Sequence, residues 1–349
     1  TSGTTGAPKG AVHAHRVLLG QLPGVAMSHD GFPEPGDRFW TPVDWAWAGG
    51  LLGVLLPSLY HGVPVVAGPG GPFEPARAAA FMARHGVRNA LLPPAALRAL
   101  RDAEPDLADV ALRSCASGGE HLGDGLVSWA RAALGCEVNA FYGQTEAHLL
   151  LAGMASGFAR RGLAVGRAVP GHTVAIVDDD GAVKPFDTPG HIAVHHPDPA
   201  LFLGYWNNPD ASRAKYRGDW LITGDTGRMD RDGYVTLLGR DEDLIDVAGR
   251  RFGPAELEAV IGEHGEVAQV AVVGVPTAGG DESIVACVVP RRGTGDEPLA
   301  RELQLRVREA IGPEAVPGEV VFRTSLPLTA TGKVLRRDLR AMLAADRAP

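Results

Sequence analysis

Short apolar runs alternate with amphipathic stretches over the first part of the chain. The runs at 64–68 and 87–94 predict strands, and the stretches at 75–86 and 95–103 predict helices. The stretch at 75–86 begins with Pro and ends with Gly, as helices commonly do. Strands and helices in this alternating order are typical of an α/β layered domain.

The pattern changes in the middle of the chain. Apolar residues alternate on both sides of an Asp-Gly pair at 173–185, which predicts a β-hairpin. Further apolar runs at 191–197 and 233–240 predict two more strands. We therefore expect a smaller β subdomain at about 164–238, inside a large domain that spans 1–239.

A charged stretch punctuated by glycines, at 239–253, is typical of an exposed connector. The elements predicted after it are a helix, two strands, a helix, a strand and a helix, at 254–265, 267–276, 282–290, 298–312, 319–327 and 333–343. The second of these helices is amphipathic. Its apolar face carries Leu299, Leu303, Val307 and Ile311. We expect a small α+β domain at 240–349.

The composition of the chain excludes several classes of protein. Of the 349 residues 45% are apolar and 21% are charged, which is typical of a globular protein with more than one domain. The formal net charge of −8 argues against nucleic acid as a partner. The longest apolar stretch, 49–66, is broken by two prolines and a His, and it predicts a buried helix and a strand rather than a membrane span. The three cysteines, Cys115, Cys136 and Cys287, have no CxxC spacing, which favours a cytoplasmic location.

The segment "SGTTGAPKG" at 2–10 combines three glycines, three hydroxyl residues and Lys9. Glycines let backbone N–H groups approach oxygen atoms closely, and a lysine adds a point charge. The segment therefore predicts a cradle for the outer phosphates of a nucleotide. It lacks the Gly-Lys-Ser/Thr ending of a Walker A loop. Taken by itself, a flexible linker is an equally good interpretation.

Four later segments join this one in a fixed order. The set is "TSGTTGAPKG", "FYGQTEA", "LITGDTGRMDRDGYVTLLGRDEDLI", "GRRFGPAELE" and "LPLTATGKVLRRDLR". Together they resemble the signature motifs of the adenylate-forming (AMP-binding) superfamily, from residue 1 to about 345. "YGQTE", "GRRFGPAELE" and "YWNNPDASRAKYRGDWLITGDTG" look most like acetyl- and medium-chain acyl-CoA synthetases.

The resemblance implies a multi-domain α/β fold and a reaction in two halves. A carboxylic acid would attack the α-phosphate of ATP, giving acyl-AMP and pyrophosphate, and coenzyme A would then displace AMP. ATP, Mg²⁺ and coenzyme A are thus the implied cofactors. Two alternatives stay open: an adenylation domain that loads a carrier protein, and an inactive truncated relative that only binds nucleotide or a partner. Because relatives carry a long stretch before the phosphate loop, we expect the large domain to lack its N-terminal part.

The implied nucleotide site draws on several motifs. The residues matching the loop over the β- and γ-phosphates are Thr1, Ser2, Gly3, Thr4, Thr5, Gly6 and Lys9. Thr145 and Glu146 match the contacts to the α-phosphate, with Glu146 as the ligand of Mg²⁺. The residues matching the walls of the adenine site are Gly119, Glu120, His121, Tyr142, Gly143 and Gln144.

The remaining implied roles lie later in the chain. Asp225 resembles the acceptor for the ribose hydroxyls, and Arg240 resembles its partner. Lys333 resembles the catalytic lysine that bridges the carboxylate and the adenylate. Glu242 aligns with the hinge about which the C-terminal domain turns between the two half-reactions.

Coenzyme A and the acid have their own candidates. Gly249, Arg250 and Arg251 would face coenzyme A, although a solvated basic turn is a good alternative for Arg250. Trp47, Gly50 and Gly143 would line the acyl pocket. Acetate-specific relatives carry Trp where this chain has Gly143, so we expect a medium-chain or aryl acid.

Two details complete the predictions. His148 stands where relatives often have Gly, and it would narrow the mouth of the acyl pocket. The Pro327 to Lys333 spacing resembles the context in which bacterial acyl-CoA synthetases are acetylated. An acetyltransferase and a deacetylase acting on Lys333 are therefore implied as further partners, since acetylation removes the lysine charge.

Overall fold

The computed structural model describes residues 1, 8–68, 70–120, 122–277, 281–328 and 334–346. The chain divides into two compact units. The first comprises Thr1–Thr223 and Gly227–Thr236, and the second comprises Gly224–Thr226 and Leu237–Pro349.

The helices of the first unit lie between its strands. They are α1 (Val17–Ser28), α2 (Ala48–Gly50), α3 (Leu56–His61), α4 (Pro75–Arg84), α5 (Pro94–Ala103), α6 (Asp124–Leu134) and α7 (Pro209–Ala214). A π-helical segment, Leu51–Leu55, joins α2 to α3. Helices α4 and α5 begin with proline, whose missing N–H has no partner in the first turn of a helix anyway.

The strands of the first unit are mostly short. They are β1 (Ala11–Val12), β2 (Phe39–Trp40), β3 (Asn89–Leu91), β4 (Ser114–Gly118), β5 (Val138–Gln144), β6 (His148–Ala152), β7 (Ala164–Ala168), β8 (Val174–Val177), β9 (Gly190–His195), β10 (Gly204–Tyr205), β11 (Tyr216–Arg217), β12 (Trp220–Met229) and β13 (Val235–Arg240). Residues 224–226 of β12 and 237–240 of β13 belong to the second unit. Within the described ranges, one hydrogen-bonded path runs β2-β3-β4-β5-β6-β7-β13-β12-β9-β8, and β11 pairs with β12.

Strands β2 to β5 are parallel, and helices connect them. Their side chains pack against α4, α5 and α6, where Leu97, Leu100 and Leu134 are almost fully buried. Burying a leucine side chain of this kind contributes about 2 kcal/mol. This layer aligns the carboxyl ends of β4 and β5, the edge where α/β sheets commonly place ligands.

The second unit is a small α+β structure. Its elements are the Asp241–Asp243 turn of 3-10 helix, β14 (Ile245–Val247), β15 (Arg250–Phe252), α8 (Pro254–Gly262), β16 (Val267–Pro276), β17 (Glu282–Pro290), α9 (Glu297–Ala310), β18 (Glu319–Phe322) and α10 (Arg336–Asp346). Strands β16 and β17 are antiparallel, and β18 lies parallel to β17. One face of this sheet packs against Leu303 and Val307 of α9, and the other packs against Leu339 of α10. The α/β first unit and the α+β second unit confirm the predicted fold class.

Three sequence expectations differ from the structure. The strand predicted at 64–68 is reduced to one bridge, Val65 to Phe39, because β2 offers only two residues to pair with. The second arm of the hairpin at 173–185 forms one bridge, Val177 to Val183, and Lys184 N donates to the carbonyl oxygen of Ile176 at 2.8 Å beside it. The longer pairing of β8 is with β9. The exposed connector at 239–253 contains the β14–β15 hairpin, whose Ile245 and Phe252 are buried.

The β subdomain expected at about 164–238 stays a prediction. Its strands β7, β8, β9, β12 and β13 continue the same hydrogen-bonded path that begins at β2. The roles assigned to the two predicted domains stay predictions.

Candidate active site

The two ends of the predicted phosphate loop are tied together. The Thr1 nitrogen donates to the carbonyl oxygen of Lys9 at 2.8 Å, and the Lys9 N–H donates to Thr1 Oγ1 at 3.1 Å. The residues between them that were assigned to phosphates, Ser2, Gly3, Thr4, Thr5 and Gly6, lie outside the described residues. Thr1 and Lys9 are thus in direct contact with each other, and the Lys9 ammonium group lies 5.2 Å from the centroid of the Tyr205 ring.

The chain after this loop supports the turn that carries Thr145. The imidazole of His13 donates from Nε2 to the carbonyl oxygen of Thr145 at 2.6 Å. This contact joins residues 132 positions apart. His13 thus supports the turn that carries Thr145. The described residues hold no group of three or more His, Cys, Asp or Glu able to bind a metal ion.

Glu146 lies in the turn between β5 and β6, and it is buried. Its Oε1 accepts a hydrogen bond from the Tyr205 hydroxyl at 2.5 Å, and its backbone oxygen accepts one from Phe202 N at 2.8 Å. Oε2 has no hydrogen-bond partner among the residues that the structure describes. A carboxylate held at one oxygen and open at the other fits Mg²⁺, which takes one or two protein carboxylates beside substrate phosphates.

The β5–β6 hairpin brings the predicted adenine residues to one place. Gly143 pairs with Leu149 and Gln144 pairs with His148, with a shift of register between Tyr142 and Gly143. The Gln144 amide donates to the carbonyl oxygen of Thr223 at 3.1 Å, which ties this hairpin to β12.

Glu120 lies just beyond the carboxyl end of β4, next to β5. Gly118 pairs with Phe141 in parallel register, so Gly119 and Glu120 follow on beside Tyr142. Arg98 of α5 forms an ion pair with Glu120 at 2.6 Å. His121 lies outside the described residues.

His148 joins the hairpin to the segment predicted to line the acyl pocket. Its Nε2 donates to the carbonyl oxygen of Ala48 at 3.0 Å. Burial lowers the pKa of His148 to about 4, so the ring is neutral at physiological pH. Its φ of +21° is unusual for a residue with a side chain.

The segment that His148 reaches is a tight turn at the start of α2. Trp47 N donates to the carbonyl oxygen of Asp44 at 3.0 Å, and Trp47 is half-buried beside Leu149. A Cβ added to Gly50 would lie 2.6 Å from that same carbonyl oxygen, so the turn requires glycine there. His148 and Trp47 are thus close in the fold although about 100 residues separate them in sequence.

Asp225 and Arg240 meet within the second unit. Arg240 Nε lies 3.2 Å from Asp225 Oδ1, and the aspartate side chain is mostly buried. Their neighbour Glu242 is partly buried, which raises the pKa of its carboxyl group although the charge of Arg240 opposes the shift. Asp243, next in the chain, is held by Arg340 of α10 at 3.1 Å.

The predicted coenzyme A residues lie on the β14–β15 hairpin. Gly249 occupies its turn with φ of +77°, and its N–H donates to Asp246 Oδ1 at 3.0 Å. Arg250 is exposed, pairs with Glu314 at 3.3 Å and lies over the ring of Phe252. Arg251 is exposed on the same hairpin.

Lys333 lies outside the described residues. The residues that flank its segment pair with each other, since Leu328 and Val334 form an antiparallel bridge. Helix α10 begins at Arg336, directly after this bridge.

Two family models match the chain. The model described as AMP-binding enzyme matches residues 1–206, and the model described as AMP-binding enzyme C-terminal domain matches residues 256–333. The chain belongs to the AMP-binding enzyme family. The resemblance drawn from its five motifs is confirmed.

Relatives in this family extend the comparison. Acetyl-coenzyme A synthetase of Bacillus subtilis (strain 168) is 30% identical over 348 residues, which are 98% of this chain and 60% of the relative. The human mitochondrial acyl-coenzyme A synthetase ACSM2B is 32% identical over 351 residues, or 97% of this chain and 60% of the relative. The chain therefore spans about 60% of the length of these two relatives.

A solved AMP-binding enzyme has the same fold. The crystal structure of the anthranilate CoA ligase AuaEII in complex with anthranoyl-AMP superposes with a TM-score of 0.88 at 30% identity. The match covers 99% of this chain and 67% of that one.

The structure adds residues to which the sequence analysis assigned no role. Tyr205 contacts Glu146, Arg98 contacts Glu120, and Asp243 contacts α10. Tyr205 lies in "GYWNNPD", part of the stretch that resembles acyl-CoA synthetases, and the resemblance implies no separate role for it. No local pattern marks such residues, because each acts through a partner that is distant in sequence.

The described part of the chain contains no helix that is both long enough and apolar enough to cross a membrane.

Proposed function

We propose that this AMP-binding enzyme is an ATP-dependent acyl-CoA ligase. In the first half-reaction a carboxylate oxygen of the acid attacks the α-phosphorus of ATP, the bond to the β-phosphate breaks, and pyrophosphate leaves. In the second, the thiol sulfur of coenzyme A attacks the acyl carbon, its proton is released, and AMP leaves. The observation that carries the proposal is the buried turn after β5, where Glu146 keeps one carboxylate oxygen without a partner among the described residues.

The first unit would hold the phosphates and the base. Lys9 and the loop before it would bind the β- and γ-phosphates, and Thr145 would contact the α-phosphate. Bound at Glu146, Mg²⁺ would neutralise charge on the phosphate oxygens. Tyr142, with Gly119 and Glu120 beyond the neighbouring strand, would bracket the adenine.

Asp225, Arg240 and Lys333 are proposed to act on the ribose and on the reacting groups. Asp225 can accept from both ribose hydroxyls because Arg240 already orients its carboxylate. Lys333 would stabilise the negative charge that develops between the acid and the α-phosphate. Arg250 and Arg251 would meet the phosphates of coenzyme A.

Glu242 is proposed as the hinge between the half-reactions. Asp243 is bound to Arg340 and approaches Arg336 at 4.0 Å, so it moves with α10. A pivot must therefore precede Asp243, and the backbone of Glu242 is the next position.

The acid is proposed to be larger than acetate. This chain resembles relatives whose names span acetate and an aromatic acid, anthranilate. Gly143 places no indole in the pocket, and the neutral His148 at Ala48 would border it with an imidazole. The absence of an indole favours a medium-chain or aryl acid, whereas the imidazole would narrow the mouth of the pocket.

A cytoplasmic location of the protein and acetylation of Lys333 are also proposed. Cys115, Cys136 and Cys287 are buried thiols, which suits the reducing cytoplasm. Acetylation of Lys333 would remove its charge and stop adenylation. Mass spectrometry of protein from cells at high acetyl-CoA should find the modified lysine, and its constant absence would contradict this point.

The deciding experiment is acid-dependent exchange of pyrophosphate into ATP, measured across acids from acetate to octanoate and with benzoate. We expect exchange, and a thioester when coenzyme A is added. Exchange with no thioester would favour a carrier-loading domain. No exchange, either from this chain or from a longer form of it, would contradict the proposal.

Two variants test the roles of the residues. Glu146→Gln should abolish exchange, while Glu104→Gln, an exposed acid after α5, should not change it. Lys333→Ala should lose exchange but still form thioester from preformed acyl-AMP. Equal loss of both reactions in Lys333→Ala would contradict the separate use of the lysine in the first half-reaction.

A further inference from the structure

Tyr205 contacts two segments of the proposed nucleotide site and has no assigned role. We propose that Tyr205 is a positioning residue, whose hydroxyl orients Glu146 for Mg²⁺ and whose ring supports Lys9 at the phosphates. The inference rests on the proposed function, because it takes Glu146 as the metal ligand and Lys9 as a phosphate ligand.

The first observation is the contact between hydroxyl and carboxylate. Tyr205 Oη donates to Glu146 Oε1 at 2.5 Å, and both residues are less than 10% exposed. A hydrogen bond to a charged acceptor in a buried setting is shorter and stronger than one between neutral groups. The rotation of the carboxylate is thus restricted, and Oε2 keeps a defined direction.

The second observation is a backbone connection to the phosphate loop. Strand β10 pairs with β1, with Tyr205 opposite Ala11 and Gly204 opposite Val12. Trp206 N also donates to the carbonyl oxygen of Gly10 at 2.7 Å. Lys9 directly precedes this paired segment, and its ammonium group lies 5.2 Å from the Tyr205 ring centroid, within the range of a cation–π contact.

The third observation is that Tyr205 itself is held in place. Its N–H donates to Ser212 Oγ at 2.8 Å, and that hydroxyl donates to the carbonyl oxygen of Asn208 at 2.8 Å. Asn208 also caps α7 by accepting from Ala211 N. The Tyr205 ring packs edge-on against Phe202, with centroids 5.0 Å apart. A fixed ring can orient its partners, whereas a mobile one cannot.

These contacts place one rigid aromatic side chain between a metal ligand and a phosphate ligand. A carboxylate that is already oriented loses less rotational freedom when the metal–nucleotide complex binds. The hydroxyl should therefore matter for binding that depends on the metal. The Tyr205 ring should matter for the binding of ATP in the absence of the metal.

The test measures the affinity for ATP by calorimetry, once with Mg²⁺ and once with EDTA, and Mn²⁺ binding by electron paramagnetic resonance. In Tyr205→Phe the gain in ATP affinity on adding Mg²⁺ should fall about tenfold, and affinity in EDTA should stay within about twofold. Mn²⁺ binding in the presence of ATP should weaken in parallel. In Tyr205→Leu, affinity in EDTA should also fall, by about threefold, because the ring is lost.

Tyr234→Phe is the matched control. The Tyr234 hydroxyl donates to the carbonyl oxygen of Ala159 at 2.8 Å, so this variant also removes one tyrosine hydrogen bond of the first unit. Its Mg²⁺ dependence should equal that of the wild type. Equal changes in Tyr205→Phe and Tyr234→Phe would overturn the proposal by assigning Tyr205 a purely structural role.

A double-mutant comparison tests whether Tyr205 acts through Glu146. In a Glu146→Gln background the Tyr205→Phe change should have no further effect on Mg²⁺ dependence, because Tyr205 acts through the carboxylate. A further loss of fivefold or more would overturn the proposal. If the wild type itself binds no ATP, the proposed function fails instead, so the two failures are distinguishable.

Discussion

Gly143 is the position where the structure makes a strong and testable demand on the sequence. A Cβ built on Gly143 would lie 1.8 Å from the carbonyl oxygen of His148, 2.4 Å from its carbonyl carbon and 3.0 Å from Leu149 N. All three atoms belong to the backbone of β6, so no side-chain rotation can relieve the contact. Because real Cβ contacts essentially never fall under 3.0 Å, Gly143→Ala must move β6 by about 1.2 Å.

The expected loss of stability follows from this displacement. Forcing one extra methyl group into a packed site costs about 1–3 kcal/mol. Movement of β6 also strains its pairing with β5 and the hydrogen bond from His148 to Ala48, each worth about 1 kcal/mol. We expect the free energy of unfolding of the first unit to fall by about 3 kcal/mol or more.

Urea unfolding followed by tryptophan fluorescence measures this change. Gly125→Ala is the matched control, since Gly125 lies in α6 and a Cβ there would meet no atom within 4 Å. Alanine at that position should stabilise the protein by about 0.5 kcal/mol, because glycine is the poorer helix former. A Gly143→Ala protein with the unfolding midpoint of the wild type would refute the reasoning.

The same geometry changes how substrate size should be tested at this position. Gly143→Trp should lose activity toward all acids, since the backbone of β6 occupies the space where its Cβ would go. A folded Gly143→Trp protein that prefers acetate to butyrate would show instead that an indole fits, and that pocket room alone explains the glycine.

Three further predictions concern charged and titratable groups. Asp225→Asn should weaken ATP binding, measured by titration with ATP, about tenfold or more, because it removes a charged acceptor beside Arg240. Asp232→Asn, which alters an exposed pair with Arg161, should leave the affinity for ATP unchanged. Burial, helped by the charge of Arg113, lowers the pKa of His29 to about 3, so the unfolded chain takes up a proton first as pH falls below 6.5. The free energy of unfolding should therefore fall by about 2 kcal/mol by pH 5. In denaturation measurements across this pH range, the free energy of unfolding of His29→Gln should not show this fall. Arg336→Met should destabilise the second unit by about 3 kcal/mol, because Glu258, whose pKa burial already raises, is then buried without its ion-pair partner. Thermal unfolding should show recovery when Glu258→Gln is added.

Local patterns in the sequence were sufficient for much of the fold. Helix α9 follows the spacing of Leu303 and Val307, and helix α5 follows its proline start and apolar period, because these signals depend on neighbours within a turn. The family was likewise accessible from five ordered motifs. Loops that bind phosphates need glycines, hydroxyls and lysine in fixed spacing, and this requirement is visible in the sequence itself.

The pairing of the strands was not determined by local sequence patterns. β8 forms a strand as expected, yet it pairs along its length with β9, and the arm after the Asp-Gly turn adds only the bridge from Val177 to Val183. The run at 64–68 had a strand composition, but only Val65 found a partner on the short β2. Period and composition say that a segment is extended, while the partner depends on which other strands reach it in space.

The same division applies to the candidate site. Sequence alone determined which chemical groups this protein brings, among them Glu146, Asp225 and the lysines at 9 and 333. Only the tertiary structure decided that Tyr205 holds Glu146, that His148 reaches Ala48, and that Gly143 faces the backbone of His148. Contacts of this kind join residues far apart in the chain, and they exist only once the packing of the sheet has brought those residues within bonding distance.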